Sequence, residues 1–172
     1  MAKTKTITLA INGRERALEA PANATLLETL REHGYFEVKS GCEKGDCGAC
    51  AVLVDGAAFD SCLTLTWTVA GRAITTVAGL SEAGTKHPLI EAFETTGAVQ
   101  CGYCIPGLIL AAQSMLATTP DPSDDEIREG LSGNLCRCTG YTKVFDAVRQ
   151  AAASLRNEIS RKKTGREEGG AA

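Results

Sequence analysis

The chain begins with an alternation of apolar and polar positions. In KTITLAINGRERALEA one such run reaches Asn12-Gly13 and a second follows, which predicts a strand, a tight turn and a returning strand. Thr25-x-x-Glu28 is a capping box and opens a helix over Leu26 to Glu32. AVLVDGAAFDS predicts a second hairpin, with Asp55-Gly56 at its turn. The pattern then changes. The stretch from Ile105 to Thr118 is rich in Leu, Ile, Ala and Met, and predicts a helix with Pro106 in its first turn, stopped by Pro120 and Pro122. Ser123-x-x-Glu126 caps the next helix, which ends near residues 130–133. KVFDAVRQAAASLRNEIS repeats apolar residues at helical spacing. The expected organisation is α+β: strands, hairpin turns and one helix in residues 1–78, helices in 79–160, and a flexible polar tail in 161–172. Residues 79–95 read as the passage between the halves.

Composition narrows the function. With 44% hydrophobic residues the chain can build a core, and a net charge of −3 gives no basic field for nucleic acid. No apolar run approaches the roughly 20 residues of a membrane span, and the N-terminus has no apolar signal core. A cytoplasmic protein is expected. In a reducing compartment, clustered cysteines bind metal or do redox chemistry in preference to forming disulfides. His33 and His87 lie away from the cysteines and read as solvated or core-edge residues. Asp124-Asp125 stands at a helix start, where it favours the macrodipole, and reads as structural.

The eight cysteines form two quartets. Cys42, Cys47 and Cys50 follow C-x4-C-x2-C, and eleven residues separate Cys50 from Cys62. This is the plant-type [2Fe–2S] spacing. A loop that turns three thiolates inward must curl tightly, and Gly41, Gly45 and Gly48 allow positive φ and close backbone approach. The predicted hairpin returns Cys62 to that loop. In the second quartet Cys101 and Cys104 form C-x2-C within QCGYCIPG, and Cys136 and Cys138 form C-x-C within GNLCRCTGY. A four-cysteine zinc site is the alternative for either quartet, more so for the second, whose two short pairs suit zinc as well. Lys39, Lys44 and Arg137 either offset negative cluster charge or are solvated surface groups.

Together GCEKGDCGAC, QCGYCIPG and LSGNLCRCTGY closely resemble the small iron–sulfur subunit of the molybdenum hydroxylases, the xanthine oxidase and aerobic carbon monoxide dehydrogenase family. The likeness spans residues 5–155. It implies a plant-type ferredoxin-like (β-grasp) N-terminal domain and an all-α four-helix-bundle domain, each holding one [2Fe–2S] cluster. It implies that Cys101, Cys104, Cys136 and Cys138 hold the cluster nearer the molybdenum cofactor, and that Gln100 and Cys138 approach the pterin. It further implies an FAD-binding medium subunit and a large subunit binding a molybdopterin cofactor, in dinucleotide form, assembled as a dimer of heterotrimers. In that arrangement the chain carries electrons between molybdenum and flavin, and the substrate pocket belongs to another chain. A free-standing ferredoxin would need only the N-terminal half. Ile105-Pro106-Gly107-Leu108 and Gly34-Tyr35-Phe36-Glu37 differ from common family sequences, and neither supplies a ligand.

Overall fold

A computed structural model describes residues 3–81 and 84–168, with the backbone only for residues 159 and 162–168. It is a mixed α/β structure with a five-stranded sheet and five α-helices. β1 (Thr4–Ile11) and β2 (Arg14–Pro21) form the first predicted hairpin. Asn12 and Gly13 both take positive φ at its turn, 51° and 74°, as the primed two-residue turn requires. α1 (Leu26–Glu32) follows, with both hydrogen bonds of the Thr25–Glu28 capping box present. β3 (Ala51–Val54) and β4 (Ala57–Asp60) form the second hairpin around Asp55-Gly56. β5 (Ala73–Thr75) then inserts between β1, to which it is parallel, and β3, to which it is antiparallel. The sheet order is β2-β1-β5-β3-β4.

Two apolar cores result. Ile7, Leu9 and Ile11 alternate inward along β1 and meet Leu26, Leu27 and Leu30 of α1, with Val52, Val54 and Ile74 completing the layer. All four residues of β3 are buried, because α3 lies against that strand from the other side.

The second core joins α2 (Pro88–Thr95), α3 (Ile105–Thr118), α4 (Asp124–Gly130) and α5 (Thr142–Glu168). Leu89 and Phe93 from α2, Leu108 and Ile109 from α3, Ile127 from α4, and Val144 and Val148 from α5 fill it. Asp124 accepts two hydrogen bonds from the Arg149 guanidinium, at 2.7 and 3.0 Å, fastening the start of α4 to α5. That guanidinium holds the Asp124 carboxyl below its usual range.

Two features depart from the expectations. The passage at 79–95 contains α2, which packs against α5. Its first turn is capped by His87, whose Nδ1 accepts the Leu89 N–H at 3.2 Å, and Pro88 supplies a preset φ. A histidine cap carries no strong sequence signal, so the helix was not legible. α5 runs on to Glu168, through part of the stretch expected to be a flexible tail; residues 169–172 of that stretch lie outside the described residues. No described helix is long and apolar enough to cross a membrane.

Candidate iron–sulfur site

The first quartet sits on the loop between Val38 and β3 and on the segment just after β4. Antiparallel pairing sets Asp60 opposite Ala51. That register places Ser61 against Cys50, whose carbonyl accepts the Ser61 hydroxyl at 2.6 Å, and so delivers Cys62 beside Cys50. Both thiols are buried, whereas Cys42 and Cys47 are half-buried on the outer curl of the loop.

The curl works as the glycines suggested. Gly48 has φ +64°, and a Cβ built on Gly41 would stand 2.7 Å from the Cys47 sulfur. Sulfur therefore occupies the space a side chain would need. The loop also aims backbone donors at sulfur. The N–H groups of Lys44 and Asp46 point at Cys42 Sγ, at 3.4 and 3.3 Å, and the Cys42 N–H points at Cys47 Sγ, at 3.4 Å. The Lys44 N–H is the main reason the Cys42 thiol is drawn down to about 7, with the Asp46 N–H adding to it against burial. Cys50 moves the other way, to about 12, because it is buried and has Cys62 beside it. Lys44 thus acts through its backbone, and Lys39 Nζ donates to the Phe36 carbonyl at 2.8 Å.

The second quartet frames the start of α3. Cys104 is the residue before its first turn and is buried; Cys101, three positions earlier, is exposed. Cys136 and Cys138 come from the turn between α4 and α5, half-buried and exposed respectively. Burial, followed by the neighbouring Cys136 and Cys101 thiols, pushes Cys104 up to about 12. At Cys136 burial is outweighed by the hydroxyl and N–H of Thr139, helped by the Cys138 backbone, and the thiol falls to about 7. The Cys138 thiol is raised by its contact with Cys101.

The thiols therefore lie as pairs: Cys42 with Cys47, Cys50 with Cys62, Cys104 with Cys136, and Cys101 with Cys138. Among the described residues, no three His, Cys, Asp or Glu groups converge on one ion-sized position. Two pairs facing each other suit a binuclear [2Fe–2S] centre, in which each iron takes two protein ligands. Ligation also removes the conflict between neighbouring thiols, since iron supplies the positive charge that lets both become thiolates.

The two quartets meet at a seam. Six of the eight cysteines, Cys42, Cys47, Cys101, Cys104, Cys136 and Cys138, line one cleft of about 430 Å³ between the halves, with Arg137 on its wall. The Leu135 N–H donates to the Cys47 carbonyl at 2.9 Å, and Asn134 Nδ2 donates to the Gly48 carbonyl at 3.0 Å. Asn134 is one of few buried polar side chains, at 5% exposure, and this bond satisfies it. Gly107 makes the approach possible: a Cβ there would stand 2.2 Å from the Gly48 carbonyl oxygen. The Tyr103 hydroxyl donates to the Ser40 carbonyl across the same seam. Sequence reasoning found the cysteines and missed this seam. Its one prior signal is Gly107, a helix-weakening residue inside an otherwise strong helix. Gln100 is exposed at the edge of the second quartet, near the exposed apolar side chains Val99, Tyr103 and Leu135.

Residues 9–73 match the family described as a 2Fe-2S iron-sulfur cluster binding domain, and residues 76–149 match a [2Fe-2S] binding domain. Fold, quartets and these matches define a protein with two [2Fe–2S] domains in one chain. The nicotinate dehydrogenase small FeS subunit of Eubacterium barkeri is 45% identical over 153 residues, covering 88% of this chain and 98% of that protein. The xanthine dehydrogenase iron-sulfur-binding subunit of Escherichia coli O157:H7 is 47% identical over 148 residues, covering 85% and 93%. Among solved structures, quinoline 2-oxidoreductase from Pseudomonas putida 86 superimposes with a TM-score of 0.86 at 42% identity, covering 91% of this chain and 98% of its own. Aldehyde oxidoreductase from Desulfovibrio gigas gives 0.85 at 40% identity, but the match spans only 17% of that longer chain. The chain belongs to the iron–sulfur subunits of the molybdenum hydroxylases.

Proposed function

We propose that the chain relays electrons between a molybdopterin centre on one partner subunit and FAD on another. The observation that carries this is the single cleft shared by the two quartets, with Leu135 N–H bonded to the Cys47 carbonyl across it. When bound, each [2Fe–2S] cluster supplies a one-electron acceptor. The chain's own residues hold, separate and bias the two. Cys42, Cys47, Cys50 and Cys62 ligate the first cluster, and Cys101, Cys104, Cys136 and Cys138 the second; the paired thiols support this division. Residues 1–78 form a ferredoxin-like β-grasp domain, supported by the parallel β1–β5 pairing inside an otherwise antiparallel sheet. Residues 79–160 form a four-helix-bundle domain, supported by the common core of α2 to α5.

The second cluster faces the pterin. Cys101 and Cys138 are exposed beside Gln100, Val99 (41% exposed), Tyr103 (49%) and Leu135 (56%), an apolar rim suited to a permanent subunit contact. Gln100 and Cys138 then touch the cofactor of the large subunit. The partners are an FAD-binding medium subunit and a molybdopterin-binding large subunit, in a cytoplasmic dimer of heterotrimers. Relatives of matching length that are named as small subunits support separate partners.

The test is rapid-freeze paramagnetic resonance of the holoenzyme after mixing with substrate. In Cys47→Ser, molybdenum and the second cluster still become reduced while flavin does not. In Gln100→Ala, the defect appears at the pterin side, from the loss of an amide hydrogen bond worth about 1 kcal/mol. Failure of an intact second cluster to be reduced in Cys47→Ser would show that the order is wrong.

A further inference from the structure

The turn that carries Cys136 and Cys138 is closed by a ring of three hydrogen bonds. The Cys136 N–H donates to the Tyr141 phenol oxygen at 2.6 Å. The Tyr141 N–H donates to Thr139 Oγ1 at 3.2 Å. Thr139 Oγ1 lies 3.1 Å from Cys136 Sγ, and the Thr139 N–H lies 3.4 Å from the same sulfur. Thr139 Oγ1 accepts from the Tyr141 N–H, and a Cys136 thiolate ligand carries no proton, so in the ligated state the Thr139 hydroxyl is the donor to the sulfur. The phenol that receives Cys136 N–H passes its own proton to the Asn134 carbonyl, at 3.1 Å.

The ring is held under constraint. Tyr141 has φ +67°, a left-handed backbone that a bulky side chain seldom adopts. Two things fix it there: the phenol bonds at one end, and the packing of its ring on Phe145, with centroids 6.0 Å apart, at the other. Such a conformation persists where the surroundings over-determine it. Its consequence here is to keep the Tyr141 N–H on Thr139 Oγ1, and so to keep the hydroxyl aimed.

The first quartet has no equivalent. The donors aimed at Cys42 and Cys47 are backbone N–H groups. Among the described residues, only the second receives a side-chain hydroxyl on a cysteine sulfur.

We infer that Thr139 is a positioning residue that sets the reduction potential of the second cluster, with Tyr141 holding its hydroxyl on Cys136. Hydrogen bonds to ligand sulfur draw electron density from the cluster and favour its reduced form, which raises the potential. The inference rests on the proposed ligation of the second cluster by Cys136. It separates the two clusters in energy by a group that acts on one alone.

Redox potentiometry of the holoenzyme, followed by paramagnetic resonance, tests this. Thr139→Val keeps the shape and removes the hydroxyl; it lowers the potential of the second cluster and leaves the first unchanged. Thr139→Ser restores a hydroxyl and returns the potential toward that of the wild type. If valine blocks cluster assembly, Thr139→Ala gives the same reading, again with a lowered potential. Iron and labile sulfide are measured on each sample, so a wild type without a second cluster indicts the ligation itself. Two intact clusters with an unmoved second potential, or with both potentials moved equally, would overturn the role of Thr139.

Discussion

Gly107→Ala tests whether the seam between the halves matters to the first cluster. In an isolated helix this change would stabilise by about 1 kcal/mol, since Ala is the better helix former. Gly107 lies in the first turn of α3 without positive φ, so backbone strain does not oppose it. The neighbours do. The new Cβ would meet the Gly48 carbonyl oxygen at 2.2 Å and Asn134 Nδ2 at 3.2 Å. Gly48 O is backbone, fixed between Cys47 and Cys50, and cannot swing aside as a side-chain end would. It must retreat by roughly 1 Å to reach an ordinary contact. Overpacking of this kind costs about 1–3 kcal/mol. Displacing Gly48 also weakens the Asn134 bond, worth about 1 kcal/mol. The net expectation is destabilisation by ~2 kcal/mol after the helix gain is subtracted. Gly130→Ala is the control, because its Cβ meets the Met115 sulfur at 2.5 Å, the movable part of a flexible side chain. It should cost less than ~1 kcal/mol. The assay is the denaturant midpoint of equally loaded wild type and variants, with the paramagnetic signal of each cluster. Gly107→Ala should lower the midpoint and alter the first cluster's signal while sparing the second. A midpoint at or above that of the wild type, with the first signal unchanged, would refute the reasoning.

Two further outcomes follow from ionisable groups outside the quartets. His87→Ala should destabilise by about 1 kcal/mol near neutral pH, because it removes the cap of α2. Burial lowers the His87 pKa, so the neutral cap is fully present above the unfolded histidine value and is lost as pH falls through the lower folded value; the difference in melting temperature should shrink over that acidic window. Asp124→Asn should lower the melting temperature above the unfolded carboxylate pKa, where Asp124 is charged against Arg149. That difference should fade as pH falls through the depressed folded value, and also with added salt.

Local signals carried most of the fold. α1 and α4 begin where their capping boxes placed them, and α3 spans the residues its composition suggested, with proline in its first turn. Both hairpin turns were marked by Asn-Gly and Asp-Gly, which accept the positive φ those turns demand. β5 was not legible, because three residues gain strand character only by inserting between β1 and β3. α2 was hidden by its histidine cap. At the site, spacing revealed the cysteines because a curled loop needs a fixed number of residues between ligands. The Asn134–Gly48 bond joins residues 86 apart, and no periodicity records it. Tyr141 likewise looked like an ordinary aromatic at a helix start, and only its backbone conformation and paired phenol bonds reveal the ring around Cys136.

The account rests on two binuclear clusters held by eight thiolates. Iron, zinc and acid-labile sulfide analysis of the purified complex, joined to a reductive titration with paramagnetic resonance, tests it most directly. The account predicts four irons and four sulfides assigned to this chain, from two cysteine quartets, and two distinct rhombic signals that appear on reduction. In Cys47→Ser one signal should be lost or altered while the other stays. One cluster only, or zinc in stoichiometric amount, would contradict it.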